Sequence, residues 1–159
     1  MALQFRPLST PPKGITHCLV RRNLDSYLEV DGKIQYGVKE RRSQFIISLY
    51  TGVHWIGRES HWELWAEIPS EANKSWSSAK LFIPECNKPV LTVLPQPVFI
   101  HGVAIPAGFH FGLYQDNGGN DKTWKIYQRN KGAKTCWVDI GMRKISSWLP
   151  LSERLRSDI

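Results

Sequence analysis

The sequence of 159 residues has no long hydrophobic run. Its apolar stretches are only about four to six residues long, whereas a membrane-spanning helix needs about 20. The N-terminus also lacks the apolar core of a secretory signal. We therefore expect a cytoplasmic protein with no membrane partner.

Cysteine is scarce as well. The chain has Cys18, Cys86 and Cys136, which are odd in number and far apart. A disulfide framework in so short a chain needs an even count, and no pair of cysteines or histidines has the spacing of a metal site. These features predict a reducing compartment and no metal or cofactor.

Motifs for catalysis are missing too. Asp116 and Asp121 flank a Gly-rich turn, but neither a calcium loop nor a phosphate-binding loop is present. Cys136 could pair with His101 or His110, yet no nucleophile signature surrounds it. The sequence predicts no catalytic residues, and an enzyme based on Cys or His is a minor alternative.

What the chain does have is enough apolar material for a core. Hydrophobic residues make up 42% of it, with seven Trp, five Tyr and six Phe, so we expect a folded protein. Segments of strand length recur at intervals of about 8 to 14 residues and are separated by Gly, Pro and Asn. This spacing predicts a mainly β fold.

The second half of the chain reads as a divergent copy of the first. The offset between matched residues drifts only from 65 to 61, which short changes in loops would absorb. We expect two related small β units, either SH3-like barrels or one merged β-sandwich. The matched segments are Tyr36–Val38 with His101–Val103, Phe45–Tyr50 with Phe109–Tyr114, Trp62–Trp65 with Trp124–Tyr127, and Trp76 with Trp137.

The positions of proline and glycine predict the domain organisation. Residues 1–16 are expected to form a flexible N-terminal arm, and residues 17–86 the first β unit. Residues 87–97 are predicted as a Pro-rich linker. Residues 98–159 are expected to form the second, basic β unit, with a short C-terminal helix between Ser146 and Ile159.

The net charge of +7 is unevenly distributed. Residues 1–86 hold 11 Lys or Arg against 9 Asp or Glu, a net charge of +2. Residues 87–159 hold 10 against 5, a net charge of +5, and most of this excess lies between Lys122 and Lys144. Basic proteins of this size often bind nucleic acid or another polyanion.

The predicted strand from Thr123 to Arg129 carries the main candidate site. Strand alternation places Lys125, Tyr127 and Arg129 on the outward face. Such a face can neutralise phosphates with its cations and stack an aromatic ring on a base. The candidate nucleic-acid-binding residues are therefore Lys122, Lys125, Tyr127, Arg129, Lys131, Lys134, Arg143 and Lys144.

Two loops of the first unit are accessory candidates. Lys39, Arg41 and Arg42 form a basic cluster next to a predicted strand, and Trp55 and Arg58 lie in a Gly-bounded loop. An exposed Trp beside an Arg suits a binding loop, although burial of Trp55 under its own loop is an equal alternative.

The remaining tryptophans are assigned from their positions in the repeat. Those at matched positions are predicted as core, since large aromatic rings anchor small β domains. They are Trp62, Trp76, Trp124 and Trp137.

The strand that begins at Trp62 has the opposite charge. Its regular alternation predicts that Trp62, Leu64, Ala66 and Ile68 share one face and that His61, Glu63, Trp65 and Glu67 share the other. This second face would repel phosphate.

Two functions follow from these charges. The leading hypothesis is a small non-enzymatic protein that binds DNA or RNA through the basic face of its second unit. The alternative is a protein-interaction module, or a self-associating adaptor that forms a homo-oligomer, in which the acidic face of one chain meets the basic face of another.

Overall fold

The computed structural model describes residues 3–23, 38–40, 43–56, 62–129 and 135–151. These residues form antiparallel strands and no helix, which confirms the mainly β prediction. Consequently none of them belongs to a helix long and apolar enough to cross a membrane. The strands are β1 (Arg6–Pro7), β2 (Ile15–Asn23), β3 (Val38–Glu40), β4 (Ser43–Thr51), β5 (Trp62–Glu67), β6 (Ser77–Ser78), β7 (Val90–Leu94), β8 (Val98–Ile100), β9 (Val103–Ile105), β10 (Gly108–Asp116), β11 (Lys122–Arg129), β12 (Thr135–Gly141) and β13 (Ser147–Pro150).

The described residues divide into two compact units at Ser70 and Glu71. The segment 87–97, which was predicted as a linker, instead contains β7, and all five residues of that strand are buried. Pro89 and Pro95 stand immediately before and after β7, where they remove no hydrogen bond from inside the ladder. They therefore mark the ends of an inner strand.

The first unit contains one five-stranded sheet in the order β1-β5-β2-β4-β3. Its longest pairing joins β2 to β4, from Ile15 opposite Thr51 to Asn23 opposite Ser43. A cluster of buried residues packs on one side of this sheet, with Leu8 and Trp55 against it. The cluster consists of Cys18, Val20, Ile46, Trp62 and Trp65.

A β-bulge in β5 changes the predicted faces of that strand. Leu64 lies opposite Arg21, but Trp62 lies opposite Arg22, so Glu63 is an extra residue. Side chains along a strand alternate between its two faces. One extra residue therefore moves the side chains that precede it in the strand to the opposite face. The prediction that Trp62 and Trp65 point to opposite faces is therefore wrong, because both belong to the same buried cluster.

Much of the predicted arm is attached to the first sheet. Leu3 and Phe5 are buried, with exposed fractions of 4% and 7%, and β1 pairs with β5. The indole N–H of Trp65 donates to the carbonyl oxygens of Pro7 and Thr10, at 3.2 and 3.0 Å. These contacts hold the described start of the chain against β5.

The second unit contains a six-stranded sheet in the order β12-β11-β10-β7-β13-β6. A separate hairpin of β8 and β9 turns at His101 and Gly102, both with positive φ, and places Val98 and Ile105 in the core. One face of the large sheet carries most of this core. The buried cluster consists of Val90, Leu94, Val98, Ile105, Tyr114, Trp124, Ile126, Ile140 and Ile145.

The matched segments of the two halves have different strand partners. In the second unit β10 pairs directly with β11, whereas in the first unit β2 separates β4 from β5. Val38 lies in β3, which pairs with β4, while Val103 lies in β9, which pairs with β8. The sequence match therefore does not extend to the pairing of strands, and the duplication stays a prediction.

Neither predicted closure nor the predicted helix is seen in the described residues. The sheets described here have two ends each and form no closed barrel. Ser147–Pro150 is a strand that pairs with β7 and β6, where the predicted C-terminal helix was expected to begin. The rest of that helix would fall on residues 152–159, which lie outside the described ranges.

Close packing at Gly112 gives a test of the second sheet. A Cβ at this position would lie 2.7 Å from Cγ2 of Thr92 and 3.2 Å from the carbonyl oxygen of Lys125. We expect Gly112→Ala to lower the free energy of unfolding by about 1–3 kcal/mol, because the two neighbouring strands must move apart. Urea unfolding followed by far-UV circular dichroism measures this change.

Gly14→Ala is the matched control for this substitution. No heavy atom lies within 4 Å of a Cβ at Gly14, and its φ is not positive. The control should change the free energy of unfolding by less than about 0.5 kcal/mol. Equal unfolding midpoints for the two variants would contradict the close packing of β7, β10 and β11 at Gly112.

Candidate nucleic-acid interface on strands β11 and β12

Strand β11 presents two different faces. Trp124 and Ile126 are buried in the core of the second unit, with exposed fractions of 1% and 0%. Lys125 and Tyr127 alternate with them and are half-buried on the other face. The strand therefore brings together the two central residues of the predicted site.

The face that carries Lys125 and Tyr127 is not uniformly polar. Phe111 and Leu113 of β10 lie on the same face and are buried, at 4% and 7% exposed. On β11 and β12, at one edge of the sheet, this face carries half-buried side chains. We call Lys125, Tyr127 and Trp137 of β12 the outer-strand surface.

Aromatic side chains form a row across three strands of this face. The rings of Phe111 and Tyr127 meet edge to face with centroids 6.5 Å apart, and those of Tyr127 and Trp137 do so at 5.3 Å. The row begins at a buried ring and ends at two half-buried rings. Edge-to-face contacts of this kind add to the stability of the strand pairing.

Trp137 was assigned to the core from its match with Trp76, and the structure places it in this row instead. Trp76 is buried and stacks on Phe109 with centroids 5.9 Å apart, but Trp137 is half-buried opposite Tyr127. The alternation of β12 contained the signal, because Trp137 is in phase with the charged Asp139 and out of phase with the buried Ile140.

Asp139 reduces the positive charge at this surface. It lies directly opposite Lys125 on β12 and is exposed. Its carboxylate accepts hydrogen bonds from the hydroxyl of Thr123 and, at 3.0 Å, from the backbone N–H of Gly141. These bonds hold the carboxylate toward the end of β12, away from Trp137.

The other predicted cations are spread along the sheet. Lys122 begins β11, and the exposed Arg143 and Lys144 follow the end of β12, so the three lie at one end of the sheet. Arg129 ends β11 about 23 Å away at the usual rise per residue. Lys131 and Lys134 lie outside the described residues.

Only two of the five accessory candidates of the first unit lie within the described residues. Trp55 is half-buried and packs against the rings of Tyr50, Trp62 and Trp65, with centroids 4.9 to 6.1 Å apart. Much of the surface of the Trp55 ring is therefore covered by these neighbouring side chains. Lys39 lies in β3, and the remaining candidates lie outside the described residues. These are Arg41, Arg42 and Arg58.

The predicted acidic face of β5 is smaller than expected. Glu63 and Glu67 are exposed, but Trp65 between them is buried beneath the start of the chain. His61 lies outside the described residues. The exposed acidic groups of this strand are therefore two carboxylates on either side of a covered ring.

The thiol of Cys18 is in a poor position to react. Its side chain has no exposed area, and burial raises the pKa of the thiol to about 12, with a smaller contribution from the negative charge of Glu67. Cys86 is exposed. Among the described residues, no group of three or more His, Cys, Asp or Glu side chains could hold a metal ion.

The histidines proposed as partners of Cys136 lie on other strands. Cys136 is on β12 and His110 is on β10, and β11 lies between these two strands. The backbones of β10 and β12 are therefore about 10 Å apart. Nε2 of His110 is 2.7 Å from the carbonyl oxygen of Pro106, and burial lowers the pKa of its ring. His101 is in the turn between β8 and β9.

Alkylation rates test the environments of the two thiols. In a Cys136→Ser background at about pH 8, iodoacetamide should modify Cys86 rapidly and Cys18 only after unfolding. A thiol whose pKa is near 12 is almost fully protonated at this pH, and the thiolate is the reactive form. Mass spectrometry of digested samples measures both rates, and similar rates at the two residues would contradict the burial of Cys18.

Raising the pH should also weaken the first unit. Because the pKa of Cys18 is higher in the folded than in the unfolded chain, its stabilising contribution is complete below a pH of about 8.5 and falls as the pH rises toward 12. Cys18→Ala would remove this dependence, which urea unfolding at several alkaline pH values measures.

Comparisons with known proteins complete the description of the site. No protein-family model, no curated protein and no solved structure matched this chain. The function proposed for the protein therefore depends on its own side chains, above all on those of β11 and β12.

Proposed function

We propose that this protein binds nucleic acid through the outer-strand surface of its second unit. The observation that carries the proposal is the position of Lys125 beside Tyr127, both half-buried on one face of β11. A cation beside a partly exposed aromatic surface can contact a phosphate while a base of the same nucleic acid stacks on that surface. The other face of β11 belongs to the core, which keeps both side chains in place.

The charge of the second unit supports binding to a polyanion. Residues 71–151 hold ten Lys or Arg and five Asp or Glu, a net charge of +5. Lys122, Arg143 and Lys144 are exposed at one end of the sheet and would attract phosphates from a distance. Because Asp139 offsets Lys125 locally, these more distant cations supply much of the attraction.

The same features predict binding that depends little on base sequence. Contacts to phosphates carry no sequence information, and stacking on an aromatic ring accepts any base. Affinity should fall steeply as salt is added, because each neutralised phosphate releases counterions. The proposed activity is thus a salt-dependent association with DNA or RNA and involves no chemical step.

A double substitution on β11 tests the proposal. Lys125→Gln together with Arg129→Gln should weaken binding for every oligonucleotide sequence. It should also reduce the slope of log K against log salt by about 1.4 for a single strand, if each side chain neutralises one phosphate. Fluorescence polarisation of labelled oligonucleotides at several salt concentrations measures both effects.

Lys74→Gln together with Lys80→Gln is the matched control. Both lysines are exposed in the second unit, outside β11 and β12, and the two double variants have the same net charge. If binding depends only on net charge, the two variants will weaken it equally, and the location of the site on β11 will be wrong. An unchanged affinity of the β11 variant leads to the same conclusion.

The alternative function is association with a protein, including a second copy of the chain. Glu63 and Glu67 are exposed on β5, so a basic surface from another chain could meet them. Pairing of unlike faces would grow into a ring or a chain. Light scattering would then show a mass that rises with protein concentration and falls with added salt, and a constant monomer mass would exclude self-association.

A further inference from the structure

We propose that the nucleic acid is single-stranded and that one of its bases stacks on Trp137. This assignment rests on the proposed function and adds to it the type of strand and the stacking residue. It also changes the role of Tyr127, which becomes the support of the stacking ring. The reasons lie in the aromatic row, in the position of β12 and in the charges around it.

The two half-buried rings of the row have different surroundings. Tyr127 lies between Phe111 and Trp137, and its ring contacts both. Among the described residues, Trp137 has an aromatic neighbour only in Tyr127. The ring planes of Tyr127 and Trp137 are inclined by 67°, so one flat base can lie against only one of them. Among the described rings of this row, Trp137 is therefore the half-buried one with an aromatic neighbour on one side only.

Strand β12 is an outer strand of its sheet. In the described ranges it pairs with β11 and with no second strand. Trp137 is near its middle, opposite Tyr127, so a ligand can approach the indole from the edge of the sheet. A base stacked there would extend the aromatic row by one ring, from Phe111 through Tyr127 and Trp137 to the nucleic acid.

Stacking on a side chain requires a base whose face is accessible. In a duplex each base is stacked between its neighbours, and proteins read it from the edge through the grooves. In a single strand the bases can turn outward and lie on aromatic rings. Half-buried rings on a sheet therefore favour a single strand, and they have little to contact on the outside of a duplex.

The charges near Trp137 agree with this arrangement. Lys125 is two residues from Tyr127 on the same face of β11, a separation of about 7 Å along the strand. Asp139 is an acidic residue on this face, two residues from Trp137 along β12. Its hydrogen bonds with Thr123 and Gly141 direct the carboxylate away from Trp137. A single-stranded nucleic acid with one base on Trp137 can thus place a phosphate near Lys125.

The experiment uses the full chain, an oligothymidylate of about 20 nucleotides and a duplex of the same length, because binding sites on such surfaces span up to about 16 nucleotides. Affinity is measured by polarisation and stacking by quenching of Trp fluorescence. The variants are Trp137→Ala, Trp137→Phe and, as a control, Trp148→Phe. Trp148 is half-buried and packs against the core on the opposite face of the sheet.

The expected results separate stacking from charge. The natural protein should bind the single strand more tightly than the duplex. Trp137→Ala should weaken binding to the single strand roughly 5- to 150-fold, while Trp137→Phe should retain most of the affinity and lose most of the quenching. Trp148→Phe should keep both, and if Trp137→Ala unfolds, the loss of quenching in Trp137→Phe still identifies the stacking residue.

Other results would overturn the assignment. Equal or tighter binding of the duplex, or unchanged affinity and quenching after substitution of Trp137, would exclude a single strand stacked at this residue. The binding function itself would still stand if the β11 charge variant lost affinity in the same assay. Absence of binding to either oligonucleotide at low salt would overturn the assignment together with the proposed function.

Discussion

Strand register is the constraint on which the rest of this structure depends. Side chains in a strand alternate between two faces, so a shift of one residue moves a whole segment from the core to the surface. The bulge at Glu63 shows this directly, because it brings Trp62 to the same face as Trp65. That face then holds the aromatic cluster around Trp55, and the start of the chain covers Trp65. One extra residue thus decides that Trp62 and Trp65 are buried in the same cluster.

In the second unit the same constraint couples stability to the proposed function. Trp124 and Ile126 anchor one face of β11 in the core, and this anchoring fixes Lys125 and Tyr127 on the other. Tyr127 is further held between Phe111 and Trp137. A surface built on paired strands is already ordered before a ligand binds. Binding to it therefore costs less conformational entropy than binding to a loop.

The candidate site could be predicted from the sequence only in part. Alternation along β11 was enough to place Lys125 and Tyr127 together, because a strand with an apolar face has a defined opposite face. Trp137 was missed because its assignment came from the repeat, and Trp76 is buried whereas Trp137 is half-buried. Lys122 and Arg129 were grouped by their closeness in sequence, yet they lie at opposite ends of a strand about 23 Å long.

The sequence by itself determined that this protein is built mainly from β-strands, since turn residues and runs of β-branched and aromatic residues are local features. It also determined the excess of positive charge in the second half. Only the tertiary structure decided the order of the strands, the burial of β7 and the division of the chain at Ser70 and Glu71. The physical reason is that strand pairing depends on contacts between side chains that are far apart in the chain. A local sequence pattern contains no information on which distant side chains pack together.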